Sequence, residues 1–136
     1  MKLIYNNIIP TKGFVAVNLF GVLFVRKGKK INLFILNHES IHTRQMQEML
    51  FVFFYFFYVF EWMIKCVYYR NSLIAYRSLS FEREAYMYER DLNYLKRRKL
   101  FSWVWFIWIR WLMVFWWKKM SKAYSILLLS SVFSNV

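Results

Sequence analysis

From Asn37 to Tyr69 the chain runs without a glycine or a proline, and its middle is the block "MLFVFFYFFYVF", Met49–Phe60. A stretch of that length without breakers predicts a helix. Asn37 suits its N-terminus, because an asparagine side chain accepts from a free backbone N–H of the first turn. The apolar block alone is shorter than the roughly 20 residues that cross a bilayer. Extension through "EWMIKCVYY" reaches that length but brings in Glu61 and Lys65, which stand one helical turn apart and can pair. The helix is therefore expected to be buried in the fold or partly inserted in a membrane.

The segments on either side differ. "GFVAVNLFGVLFVR" (Gly13–Arg26) is rich in Val, Phe and Leu, ends at the turn "KGKK", and is followed by "INLFIL" (Ile31–Leu36). This predicts two strands and a β-hairpin, with Gly21 as a possible bulge. A lone hairpin is marginal and must pack on something. "RNSLIAYRSLS" (Arg70–Ser80) reads as a connection, and Ser80 as the cap of a helix over Phe81–Lys99. In that helix the acids come early and the bases late, which suits the helix dipole. "LFSWVWFIWIRWLMVFWW" (Leu100–Trp117) holds six of the seven tryptophans and one charge, Arg110, between basic flanks. Tryptophan prefers the membrane interface, and a central arginine resists full insertion. The expected fold is α+β: a short N-terminal β-hairpin or sheet, a motif-bearing helix, a second glutamate-bearing helix and a Trp-rich, membrane-associated C-terminal helix. The expected division is residues 1–99 as the minimal domain and 100–136 as the membrane-associated segment.

Composition points the same way. The chain of 136 residues is 60% hydrophobic and 24% aromatic, with a net charge of +13. A small domain cannot bury that many large side chains, so part of the apolar surface meets lipid or a partner. The charge favours an anionic surface. Nucleic acid is disfavoured as a partner, because no binding motif is present and the aromatics cluster in apolar runs instead of alternating with Lys and Arg. Cys66 is the one cysteine, so no intrachain disulfide forms; it reads as a small buried hydrophobe. The N-terminus does not read as a signal peptide. The expectation is a membrane-associated protein, at the cytoplasmic membrane, of unassigned orientation and oligomeric state.

The chemistry lies in "HESIH", His38–His42, which contains both histidines of the chain. Residues four apart stack on one helix face, so His38 and His42 can hold one metal ion. Glu39 is rotated by about 100° from His38, near such a metal but not stacked with the histidines. It is suitably placed as a general base for a water polarised by zinc. A catalytic zinc takes three protein ligands and leaves a position open. With no third histidine, the remaining ligand is expected to be a carboxylate. Outside the motif the acids are Glu48, Glu61, Glu82, Glu84, Glu89 and Asp91. Glu61 lies too far along the motif's own helix to bend back, which leaves the cluster in "FEREAY".

"HESIH" followed some forty residues later by "FEREAY" resembles the gluzincin metallopeptidases in a minimal form. That class pairs H-E-x-x-H on one helix with a ligand glutamate on a second. The resemblance covers residues 37–90. It implies His38 and His42 as zinc ligands, Glu39 as the base and Glu82, three residues before Ala85, as the third ligand. Glu84, two residues on, points to nearly the opposite side of the helix, and only one of the two can face the metal. Many members carry Asp directly after that alanine to orient a ligand histidine; here Tyr86 stands there. Glu89 or Tyr86 would have to serve instead. Tyr76, Tyr86 and Tyr88 are candidate oxyanion donors. In such folds an extended substrate commonly pairs with a sheet edge, here expected in Gly13–Arg26. The implied activity is zinc-dependent endopeptidase action on a peptide or protein at a membrane surface. The alternative is a catalytically inactive zinc-binding relative acting as a membrane interaction protein.

Overall fold

The computed structural model describes residues 2–10 and 15–107. The fold is mixed α+β: a three-stranded sheet followed by helices. Strands β1 (Lys2–Asn6), β2 (Ala16–Leu19) and β3 (Val22–Arg26) lie in the order β1-β3-β2. β1 runs parallel to β3, with Ile4 opposite Phe24, and β2 runs antiparallel to it, with Val17 opposite Phe24. The Gly13–Arg26 segment is thus two strands. It reverses at Phe20–Gly21, both at positive φ, 51° and 79°. Gly21 supplies the turn of the hairpin and is not a bulge.

Among the described residues the sheet is followed by α1 (Leu33–Glu48), α2 (Val52–Tyr69), α3 (Ser72–Arg77), α4 (Ser80–Tyr88) and α5 (Tyr94–Arg97). The predicted strand Ile31–Leu36 is largely the first turn of α1. Short apolar runs carry no period of their own, and a capping residue decides between strand and helix. That residue is Asn32, whose Oδ1 accepts from the Ile35 N–H at 2.8 Å. Asn37 lies inside the helix. Its Nδ2 donates to the carbonyls of Tyr88, Glu89 and Asp91 at 2.9–3.1 Å, closing the C-terminal end of α4 from outside. The predicted helix Phe81–Lys99 stops at Tyr88 for that reason, and the chain turns at Asp91 before α5.

The long helix is also broken. Leu50 and Phe51 both take positive φ, 51° and 58°. For residues with a Cβ this costs about 1 kcal/mol each. The reversal is held by the Phe51 N–H on the Met46 carbonyl at 2.7 Å, and it lets Met46, Met49, Phe54, Phe81 and Trp103 form one core. Phe81 and Trp103 lie ring to ring at 4.5 Å, so residues 100–107 pack on the body of the fold. The rest of the Trp-rich segment, Trp108–Trp117 with Arg110, lies outside the described residues. A second core joins Ile41, Ala85 and Tyr94 between α1, α4 and α5. The expected connection Arg70–Ser80 contains α3, capped by Asn71, whose Oδ1 accepts from Leu73 and Ile74 at 3.0 Å.

Ser80 is the first residue of α4 and not its cap. Its N–H and hydroxyl both donate to Glu61 of α2, at 3.0 and 2.7 Å. Glu61 also pairs with Lys65 at 2.6 Å, as the spacing predicted. A carboxylate from α2 thus caps α4 across space, and so sets the position of Glu82 two residues on.

Candidate metal centre

α1 and α4 pack side by side and bring three ligand groups together. His38, His42 and Glu82 each offer one atom, all within 4.8 Å of one another, and all three residues are buried. His38 Nε2 and His42 Nε2 are 3.1 Å apart. His42 Nε2 is 3.3 Å from Glu82 Oε1, and His38 Nε2 is 3.5 Å from Glu82 Oε2. Three ligands of a tetrahedral zinc at bonds of about 2.0–2.1 Å stand about 3.3–3.4 Å from one another. The two histidine nitrogens stand near that spacing, and the Glu82 carboxylate straddles them, with Oε1 toward His42 and Oε2 toward His38. Glu82 Oε2 is buried and has no hydrogen-bond partner. Two imidazole nitrogens and a buried carboxylate with one unpartnered oxygen, gathered within 4.8 Å, make a donor set that fits a divalent transition metal.

The outer side of each histidine is engaged as well. His38 Nδ1 lies 3.3 Å from Glu89 Oε2, and the Tyr86 ring packs edge-on against the His38 ring at 4.7 Å. His42 Nδ1 lies 2.8 Å from Gln45 Oε1. The Gln45 amide nitrogen donates in turn to Glu84 Oε2 at 3.0 Å and to the Phe81 carbonyl at 3.2 Å. Its oxygen must then face the histidine. Each ring presents Nε2 to the centre because Nδ1 is occupied, as metal-ligating histidines require. Gln45 was not singled out from the sequence. The signal that could have found it is its position three residues after His42, on the same face of the helix.

Glu84 does not face the centre. It is fully buried on the other side of α4, where Arg98 binds it through Nε and through Nη2 at 3.1 Å, and the Tyr94 hydroxyl donates to it at 2.8 Å. Arg98 also pairs with Glu48 of α1. The rotation between Glu82 and Glu84 thus sends one carboxylate to the histidines and the other to a buried arginine.

Electrostatics follow from this packing. Burial alone would lower the pKa of His42, but the Glu82 carboxylate beside it holds it up at about 9. Burial opposes ionisation of Glu82 too, yet His42 and His38 keep its carboxyl well below the usual range. Without a metal, the pair is an imidazolium–carboxylate contact. Burial pushes the Glu39 carboxyl up, and the two histidines only partly offset this. Asn18 of β2 donates to the Glu39 carbonyl at 2.7 Å and to Thr43 Oγ1 at 2.9 Å, tying an edge of the sheet to the motif.

Tyr58 of α2 donates its hydroxyl to Glu82 Oε1 at 2.7 Å. Of the tyrosines singled out, Tyr76 has its hydroxyl raised by burial and by the nearby Glu82, Tyr86 covers His38, and Tyr88 stacks on Tyr94 at 3.8 Å. An apolar cleft of about 320 Å³ opens between α2 and α3, lined by Tyr58, Val59, Trp62, Ser72, Leu73 and Tyr76. Comparison with family models, curated proteins and solved structures finds no match for the chain.

Proposed function

We propose that the chain is a zinc-dependent metallopeptidase that works on peptides at a membrane surface. The observation that carries this reading is the convergence of His38 Nε2, His42 Nε2 and Glu82 within 4.8 Å, with Glu39 next to His38 on the same helix. When bound there, zinc supplies a Lewis acid that polarises a water and a substrate carbonyl. Glu39 removes the proton of the attacking water and returns it to the leaving amine. Its raised pKa suits both halves of that task, since a base must hold the proton between the two steps. Tyr76 and Tyr86, whose hydroxyls burial and Glu82 keep protonated, are both candidate donors to the developing oxyanion. β2 pairs with β3 on one side and is tied through Asn18 to α1, so its outer edge can take an extended peptide as an added strand.

Membrane association is supported by α2, the one helix among the described residues long and apolar enough to cross a bilayer. Substitution of Glu39 separates an enzyme from an inactive zinc-binding relative. Glu39→Gln should retain zinc and lose peptidase activity by a factor of about 10² or more. Equal activity in both proteins would refute the enzymatic reading.

A further inference from the structure

α2 is built inside out. A helix on a water-soluble domain turns its apolar stripe inward and its charges outward. Here both charges of the helix face the protein. Glu61 caps α4 at Ser80, and Lys65 pairs with Glu61 and donates to the Ser78 carbonyl. Phe54 lies in the core, and Tyr58 binds Glu82. At about 100° per residue these four positions share one side of the helix. Val52, Phe56, Phe60, Met63 and Val67 lie on the opposite side, with exposures of 69, 64, 54, 57 and 81%. No exposed residue of α2 carries a charge. Water would leave this half-cylinder of aromatic and aliphatic side chains unsatisfied over its whole length.

The geometry points to the acyl chains of a bilayer as the occupant of this face, with α2 crossing the membrane and the metal centre held at the membrane boundary near its N-terminal end. Three observations select lipid. The apolar face is unbroken over 18 residues, about 27 Å of helix, close to the roughly 30 Å of hydrocarbon in a bilayer. A helix lying flat in the interface needs a polar side toward water, whereas the polar side of α2 is covered by α3 and α4. Arg70, exposed directly after the last turn, stands where lipid phosphates would be, in a chain of net charge +13. Phe54 lies against His42, with ring centroids 6.4 Å apart, and Tyr58 binds Glu82, so the ligands are level with the first two turns of α2. The cleft beside Val59 and Trp62 continues the apolar face toward Tyr58 and Tyr76. The substrate class this favours is a peptide segment leaving or entering the bilayer next to that boundary.

This deepens the membrane part of the proposed function and does not depend on zinc. The test places nitroxide labels, in a Cys66→Ser background, at Phe53, Phe56, Phe60, Ile64 and Val67. The protein is reconstituted in vesicles of phosphatidylcholine and phosphatidylglycerol, and collisions with oxygen and with a water-soluble nickel chelate are compared. Oxygen should dominate at every position, most strongly at Phe60 and less toward Phe53 and Val67. Dominance of the nickel chelate would overturn the proposal. Exclusion of both reagents would overturn it in favour of a protein cover, a second copy or another part of the chain. A shallow, uniform oxygen excess would overturn the crossing orientation. Zinc content measured on the same samples keeps the two readings apart, since the depth profile stands or falls without it.

Discussion

Gln45 Oε1 lies 2.8 Å from His42 Nδ1, and the amide cannot turn over because its nitrogen is held by Glu84 and by the Phe81 carbonyl. One amide thereby fixes which nitrogen of His42 faces Glu82. Gln45→Leu keeps the volume but removes the acceptor. Zinc affinity should fall about 10- to 100-fold, read by competition with a chromophoric chelator. In the metal-free protein the loss of the acceptor should also lower the pKa of the His42 imidazolium, read from its nitrogen shifts against pH. Unchanged affinity with an unchanged His42 titration would show that the ring is oriented by other contacts.

The pH dependence of the metal-free protein follows from the His42–Glu82 pair. The folded pKa of His42, about 9, exceeds the ordinary 6.5, so its contribution is complete below pH 6.5 and is lost as pH rises through about 9. That of Glu82 is depressed, so its contribution is present above the ordinary 4.5 and is lost as pH falls. Glu39, raised by burial, contributes only while protonated, and that contribution is lost as pH rises above the ordinary 4.5. Denaturant midpoints with chelator present should therefore decline on the acid side of pH 4.5 and on the alkaline side of pH 6.5. The alkaline loss should be on the order of 2–3 kcal/mol for the coupled pair. Excess zinc should remove the alkaline decline, because the metal takes the place of the proton.

Arg98 binds two buried carboxylates, Glu84 and Glu48, from two different helices. Arg98→Met leaves both without their cation. Breaking a buried pair from one side costs about 3–5 kcal/mol. Chemical denaturation should register a loss of that size, and Glu48→Gln a smaller one. A loss under 1 kcal/mol for Arg98→Met would mean that the network is open to water.

Glu61 supplies the cap that the sequence of α4 lacks. Glu61→Ala removes acceptors from the Ser80 N–H and hydroxyl and strips Lys65 of its partner. It should destabilise the fold by about 1–2 kcal/mol and weaken zinc binding through the displaced Glu82. Glu61→Gln should recover much of the capping. Equal zinc affinity in all three proteins would separate this cap from the metal centre.

The parts of this design that were legible in the sequence are those with a local period. The four-residue spacing of His38 and His42 placed both on one helix face, and the two-residue spacing of Glu82 and Glu84 sent them to opposite sides of another. The α+β order was likewise readable from strand-like runs followed by helical ones. What was not legible depends on contacts between distant segments. Asn37 looks like a cap and is one, but for α4 and not for its own helix. The break at Leu50–Phe51 carries no glycine to announce it and exists because Met46 and Phe54 pack in one core. The role of Glu61 requires α4 to be its neighbour. The lipid-facing character of α2 emerges only when Glu61 and Lys65 are seen to turn inward. The sequence puts the stronger membrane signal on Leu100–Trp117, most of which lies outside the described residues; within the described part Trp103 packs on Phe81 while Leu100 and Trp105 are exposed.

The most direct test of the central claim is the zinc content of detergent-purified protein, compared with Glu82→Ala and Glu39→Gln. Glu84→Ala is a poor control, because Glu84 holds Arg98 and the fold. The account predicts one zinc per chain in the unmodified protein and in Glu39→Gln, and almost none in Glu82→Ala. Absence of zinc from the unmodified protein after reconstitution at neutral pH, or full zinc in Glu82→Ala, would contradict it.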